Sequence, residues 1–380
     1  MRILILATDI YTRGGIARYT STLASMLGQL LGPDNVHVLA LFGSGVPEDA
    51  PRGYRVLQTT TDRLRLFDKV RFAAKALEVG HEKYILIVCS HVCLAPVAAL
   101  VRAVLGTPYW VACHDAEAWA GVRLSEAGAL KRADLILPVS QFTARKVCEV
   151  NGIPEAKAKV LYNAIPDHFA SMLLSGNGHA SCDSTAKQGE KVLLSVGSLS
   201  KSHAYKGFDR VVKSMPALLR TTPRLRYVIV GEGDNRETLE NLARHLGVRE
   251  RVTFAGGVTQ EQLAAYYHAC DVFVLPSGAP VSEGRWRGEG FGRVYVEAAL
   301  AGKPVVGSRS GGAAEAVVQG KTGFVIDPSS GEELTRALLT LLQNPELSAR
   351  MGRTGRQWAS ENFTQHWVQA SLRELLGTRS

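Results

Sequence analysis

Short apolar runs alternating with amphipathic stretches constrain this chain more than any other feature. Ile3–Ala7, Val36–Leu41, Ile85–Cys89, Tyr109–Cys113 and Leu135–Val139 are near-continuous apolar segments of about five residues. A strand with one wet face alternates apolar and polar residues, so a run with almost no polar member needs cover on both faces. Between the runs lie helical patterns. Ile16, Thr20, Leu23, Leu27 and Leu30, for example, fall on one face at helical spacing. Strand alternating with helix predicts an α/β fold with a parallel, doubly wound sheet.

The alternation breaks once. From Leu174 to Glu190 the sequence is polar and rich in glycine and serine, the composition of a linker. It resumes with Val192–Val196, Tyr227–Val230, Val252–Phe254, Val272–Leu275, Pro304–Gly307 and Phe324–Ile326, and the chain finishes in helices. A length of 380 residues exceeds one ordinary core. The expected organisation is a domain over 1–170, a linker over 171–190 and a domain over 191–359. Two such Rossmann-like domains, facing each other across a cleft, would hold ligands at the carboxyl ends of their strands.

Composition excludes several classes. Hydrophobic residues make up 46% and charged residues 21%, which describes a globular protein and not a disordered one. No apolar run approaches the roughly 20 residues that span a bilayer. Arg2–Ala7 is too short for a signal-peptide core and reads as a first strand. Six cysteines (Cys89, Cys93, Cys113, Cys148, Cys182 and Cys270) include no CxxC pair and read as reduced thiols of a cytoplasmic protein. Cys89-Ser-His91-Val-Cys93 lacks a second ligand cluster and reads as a strand end rather than a metal site.

The net charge of +9 asks for an anionic partner. The interleaved basic and aromatic pattern of a nucleic-acid groove is missing, which leaves phosphate-bearing substrates and anionic membrane surfaces. Arg63, Arg65, Lys69, Arg71 and Lys75 lie on an expected helix whose apolar face carries Leu66, Val70 and Leu77. That helix suits either a membrane surface or plain solvent.

The densest chemistry lies in Glu289-Gly290-Phe291-Gly292-Arg293-Val-Tyr-Val-Glu297, where two carboxylates flank a glycine turn leading into a helix. Glycines let the backbone approach a ligand, and the first helical amides point outward unpaired. Together with the helix dipole they suit a diphosphate or the polar face of a sugar. Glu289 is placed to accept from sugar hydroxyls and Glu297 to hold a ribose diol. A helix capped by a charged loop is the alternative reading.

This segment resembles the E-x7-E signature of the retaining, GT-B-fold glycosyltransferases of family 4. The flanks His268-Ala-Cys-Asp271-Val-Phe-Val-Leu-Pro276-Ser277 and Gly311-Gly312-Ala-Ala-Glu315 match as well, and the likeness extends from Gly14-Gly15 to the last helices. The resemblance implies an N-terminal acceptor domain and a C-terminal nucleotide-sugar domain. It also implies a final helix, about 360–380, packed back on the first domain.

Residue by residue, it implies that Lys206 neutralises the leaving diphosphate. The arginine usual beside it is replaced by Ser198, so Lys201 or Arg293 is the expected substitute. Val258 corresponds to the residue that reads the nucleobase edge, and Glu232 lies in the neighbouring glycine turn. Gly14 and Gly15 match a loop near the donor phosphates, with a simple tight turn as the alternative. His114 corresponds to the histidine beside the donor sugar. No metal or other cofactor is expected, and Asp115-Ala-Glu117 is not read as a metal site.

The expected reaction transfers a hexosyl unit from a nucleotide sugar, UDP-glucose or a related UDP-hexose first and GDP-mannose next, to a hydroxyl acceptor with retention. A lipid-linked oligosaccharide in polysaccharide biosynthesis would put the basic N-terminal domain on the inner face of a membrane. A GT-B sugar-nucleotide epimerase or phosphorylase is the rival enzyme, distinguished by incubation with donor alone. A non-catalytic basic module would instead bind polyanions in a salt-sensitive way.

Overall fold

A computed structural model describes residues 1–11, 14–42, 53–61, 66–176, 189–278 and 288–377. Two compact units divide the chain: Met1–Ala164 with Gln365–Ser380, and Ile165–Thr364. The first unit runs β1 (Ile3–Ala7), α1 (Gly15–Leu31), β2 (Val36–Phe42), β3 (Arg55–Thr61), α2 (Leu66–Gly80), β4 (Leu86–Cys89), α3 (Ala95–Leu105), β5 (Tyr109–Cys113), α4 (Leu124–Arg132), β6 (Leu135–Pro138) and α5 (Gln141–Asn151). The second begins with α6 (Asp167–Ser175), β7 (Lys191–Val196), α7 (Phe208–Thr221), β8 (Leu225–Val230), α8 (Arg236–His245), β9 (Val252–Gly256) and α9 (Gln260–Ala269). It continues through β10 (Val272–Val274), α10 (Arg293–Leu300), β11 (Val305–Ser308), β12 (Gly323–Ile326), α11 (Gly331–Gln343) and α12 (Pro345–Asn362), after which α13 (Gln365–Gly377) returns to the first unit.

Each unit holds a six-stranded parallel sheet, ordered β3-β2-β1-β4-β5-β6 in the first and β12-β11-β10-β7-β8-β9 in the second. β1 is buried throughout, as are Leu86–Cys89 and Tyr109–Cys113. The central apolar runs of the sequence therefore lie in covered strands, whereas β9 and β12 at the edges are partly buried and Ile85 is 40% exposed. β3 was not expected. Its sequence, Arg-Val-Leu-Gln-Thr-Thr-Thr, has no apolar run because it is an edge strand that pairs only with β2.

Two boundaries differ from the sequence reading. The units divide at 164/165, not 170/171. Residues 171–175, expected in the linker, complete α6, whose Phe169, Ala170 and Leu173 are buried. Most of the remaining linker, with Cys182, lies outside the described residues, as do Arg63 and Arg65. On α2 the buried stripe is Asp68, Phe72, Ala76 and Val79, whereas Val70 is 66% exposed. The apolar face read from the sequence is thus rotated away from the one that packs. α13 lies along α1, where the Gln369 amide donates to Met26 O at 3.0 Å and to Gln29 Oε1 at 2.8 Å.

His37 interrupts the apolar run of β2 and is buried. Nε2 donates to Asp34 O at 3.1 Å, so Nδ1 is left to accept from the Tyr84 hydroxyl at 2.5 Å. Burial pushes its pKa below the ordinary 6.5. The unfolded chain then binds a proton more readily than the folded one. Its stabilisation is complete above pH 6.5 and is lost as pH falls through the lowered folded value. The melting temperature should therefore decline below about pH 6.5, with a slope of up to about 1.4 kcal/mol per pH unit for each such group. Melts of His37→Gln should show a shallower decline over that window.

Candidate active site

In the second sheet the chain leaves β7 toward β8 and β9 on one side, then re-enters at β10 on the other. The outgoing loops of β7 and β10 start from that switch point, the place where open α/β sheets bind ligands. Both loops are tied together. Gly278 N donates to Tyr205 O at 2.7 Å, while Arg210, in the first turn of α7, donates to Pro276 O at 2.6 Å and to Gly278 O. Burial lowers the Arg210 pKa, with Asp209 and Asp327 opposing.

Lys206 ends a 3-10 segment, Lys201–Lys206, in the β7 loop. Its stem crosses Gly197, where an added Cβ would stand 3.0 Å from Lys206 Cδ. Its ammonium meets Glu289 Oε1 at 2.5 Å, with side chains only 14% and 13% exposed. Glu289 is itself anchored, since its carbonyl accepts from Gly312 N at 2.9 Å. Two residues 83 positions apart thus form a mostly buried ion pair at the switch point.

Beyond Glu289 the glycine turn leads into α10. Gly292 has φ +86°, and an added Cβ would stand 2.4 Å from the Tyr295 ring, so the turn requires glycine. The Tyr295 hydroxyl donates to Leu275 O at 2.7 Å, anchoring the helix on the end of β10. Gly290 is buried in the turn. The Phe291 ring packs inward against Phe363, with centroids 5.2 Å apart, so only its backbone is offered to a ligand. α1, α7 and α10 begin at glycine N-caps with no side-chain cap. By contrast, Ser140, Thr259 and Ser330 cap α5, α9 and α11.

Glu297 is held by protein donors on both oxygens. It is 1% exposed, with Oε1 bound to Arg293 Nε at 2.8 Å and Oε2 to the Tyr267 hydroxyl at 2.8 Å. A carboxylate expected to meet a ribose is here engaged by two protein donors. Burial first, then Glu297, drives the Tyr267 pKa upward and keeps its proton in that bond.

At the ends of β8 and β9, Glu232 Oε1 accepts from Gly257 N at 3.1 Å, beside half-buried Val258. Leu199 N donates to Glu232 O at 2.8 Å, joining this corner to the β7 loop. Lys201 is exposed and its backbone N donates to Asp234 Oδ1 at 2.7 Å, while Ser198 is exposed in the same loop.

The first unit carries the remaining residues at its own switch point, between β1 and β4. Gly14 and Gly15 open α1 and are exposed. His114 follows β5. Its Nε2 donates to Ser90 O at 2.7 Å, its ring meets Tyr19 edge-on with centroids 4.5 Å apart, and its backbone N donates to Glu117 Oε1 at 2.8 Å. Burial lowers its pKa, opposed by Glu117, so the imidazole is held neutral. A cavity of about 460 Å³ nearby is lined by Thr8, Phe42, Phe72, His91, Glu117 and Arg123, among others. Among the described residues, no group of three or more His, Cys, Asp or Glu side chains could hold a metal.

Tyr267 and Arg210 escape sequence reasoning. Tyr267 falls beside Leu263 and Ala264 on the buried side of α9 and reads as core. Arg210 reads as a solvated helix position. Only the fold brings their polar ends to the site.

Known proteins resemble this chain in sequence and fold. Residues 181–358 match the family Glycosyl transferases group 1, and residues 13–169 match Glycosyltransferase Family 4. A GDP-mannose-dependent alpha-(1-6)-phosphatidylinositol monomannoside mannosyltransferase of Mycolicibacterium smegmatis is 32% identical over 385 residues, covering 97% of this chain and 96% of the relative. HepE of Anabaena in complex with UDP has the same fold, with a TM-score of 0.78 at 24% identity over all of both chains. Sucrose-phosphate synthase of Thermosynechococcus elongatus also gives 0.78, at 21% identity over 100% of this chain and 99% of that one. With two parallel six-stranded sheets of the GT-B type and a relative matched along nearly its whole length, the chain belongs to the group 1 glycosyltransferases and is a glycosyltransferase.

Proposed function

We propose that this enzyme moves a mannosyl unit from GDP-mannose to a hydroxyl of a mannosylated phosphoinositide lipid, with retention at the anomeric carbon. The mycolicibacterial relative supports this donor and acceptor, and it reverses the order read from the sequence, which put a UDP-hexose ahead of GDP-mannose. The observation that carries the chemistry is the Lys206 ammonium held against Glu289 at the switch point. A departing nucleoside diphosphate gains negative charge in the transition state, and a preorganised cation stabilises that charge more than the ground state.

In this reading the diphosphate replaces Glu289 as the partner of Lys206, and Glu289 turns to the sugar hydroxyls. The uncapped amides of α10 take further phosphate oxygens. Glu232 and Val258 flank the nucleobase. Gly14 and Gly15 approach the donor through their backbone. An added Cβ at either would meet nothing within 4 Å, and Gly14 has an extended φ of −158°. Neither packing nor conformation demands glycine there, which favours a ligand's approach over a tight turn. His114 offers its neutral Nδ1 to a sugar hydroxyl. The reaction proceeds without a metal in this scheme, and the leaving phosphate deprotonates the acceptor.

Such an acceptor resides in a membrane, and the charge of +9 supports attachment to an anionic surface. Among the described residues no helix is long and apolar enough to cross one.

Thermal shifts with GDP, UDP and ADP test the donor. GDP should stabilise most, by about 2.7 kcal/mol at a hundred times its dissociation constant. Transfer from GDP-mannose to mannosylated phosphatidylinositol should then persist in EDTA and give an α-linked product by NMR. A larger shift with UDP removes the donor assignment, and a β-linked product removes retention.

A further inference from the structure

Resting on the glycosyltransferase reading above, we infer that Arg293 is a second ligand of the donor diphosphate, held in position by the buried Glu297 and Tyr267. The inference starts from an uneven hydrogen-bond tally. Arg293 is the first residue of α10, and its side chain is 14% exposed. An arginine so enclosed needs partners for five N–H groups. Only Nε has one among the described residues, the bond to Glu297 Oε1 at 2.8 Å. The two terminal nitrogens, which carry four of those donors, take no protein acceptor there. A mostly buried guanidinium with its outer fork unfilled is suited to a planar or tetrahedral oxyanion.

Its surroundings favour holding the fork still. Glu297 is 1% exposed and also accepts the Tyr267 hydroxyl at 2.8 Å, so the carboxylate cannot swing away without losing a second bond. Tyr267 is itself fully enclosed on α9. The chain Tyr267–Glu297–Arg293 therefore clamps the inner edge of the guanidinium. Only the turn Gly290–Gly292 separates Arg293 from Glu289, the partner of Lys206. An uncapped helix start lies at the same point. Arg293 and Lys206 would then divide the diphosphate, with Glu297 and Tyr267 positioning the guanidinium.

Dissociation constants for GDP and for guanosine, measured by calorimetry on the full chain, separate this role from a structural one. Arg293→Leu should weaken GDP at least tenfold and leave guanosine within twofold. Because Arg293→Leu strands a buried carboxylate, the double variant Arg293→Leu/Glu297→Leu removes both charges and secures folding. It should lose GDP affinity in the same way. Wild-type GDP affinity in the double variant would overturn the inference, since Arg293 would then serve only to neutralise Glu297. An equal loss of GDP and guanosine in Arg293→Leu would also overturn it, since the arginine would then act on the nucleoside and not on the diphosphate. If the wild type binds UDP instead, the donor assignment fails and the same comparison is read with UDP and uridine. If no nucleoside diphosphate binds, both proposals fall.

Discussion

Lys206→Ala should lower turnover at saturating donor by about a hundredfold to a thousandfold, the range seen when one preorganised donor to a developing oxyanion is removed. The melting temperature should fall far less. Removing one member of a buried ion pair can cost about 3–5 kcal/mol, but this pair lies in the loops at the end of the sheet and not in the core. Both side chains retain some exposure, so water can reach the stranded Glu289. Lys206→Arg should rescue little although it keeps the charge. The lysine stem lies against Gly197, where an added Cβ would be 3.0 Å from Lys206 Cδ, and a planar guanidinium presents its charge in a different geometry. Steady-state rates for both variants, beside melts that establish folding, decide the matter. Near-native turnover in Lys206→Ala would remove the ammonium from the reaction.

Gly231→Ala should have the largest effect on stability. Gly231 has φ +146°, and an added Cβ would lie 1.9 Å from the carbonyl oxygen of Gly197. Both obstacles are backbone, so no side chain can give way. Strain at such a φ costs about 1–3 kcal/mol, and overpacking adds about as much again. The sum, roughly 2–6 kcal/mol, should lower the melting temperature of a unit this size by about 4–24 °C. Gly14→Ala, in open space, should melt like the wild type. Circular dichroism of the two variants makes the comparison, and equal melts would show that β7 and β8 do not close on each other as described.

Much of the architecture is legible because both sheets are buried on two faces, and such strands read as apolar runs whatever their neighbours. β3 is illegible for the same reason: an edge strand ending Gln-Thr-Thr-Thr carries no such signal. α6 is partly hidden because the polar composition of the following residues runs into its last turn. Within the site, the glycine turn and its two glutamates stand out locally, and the pairing of Arg293 with Glu297 follows from helical spacing. The isolation of Glu297 from solvent does not. It depends on Tyr267, 30 residues away, whose apolar ring dominates any reading of its helix position. The union of Lys206 with Glu289 likewise needs two loops to converge on the switch point of a sheet, information carried by strand order rather than by either segment.

The return of α13 to the first unit has a consequence for how the chain is made. During synthesis α1 leaves the ribosome early, yet the helix that covers it emerges only after the whole second unit. Holding those ends together across an unfolded insert of about 200 residues would cost roughly 5 kcal/mol in chain entropy. Folding of the insert removes that obstacle. Its own ends are neighbours, with Ile165 N donating to Phe363 O at 2.8 Å, so a folded second unit delivers α13 to the point where the chain left. The second unit should therefore fold first and independently, and the first should reach its final stability only once α13 has emerged.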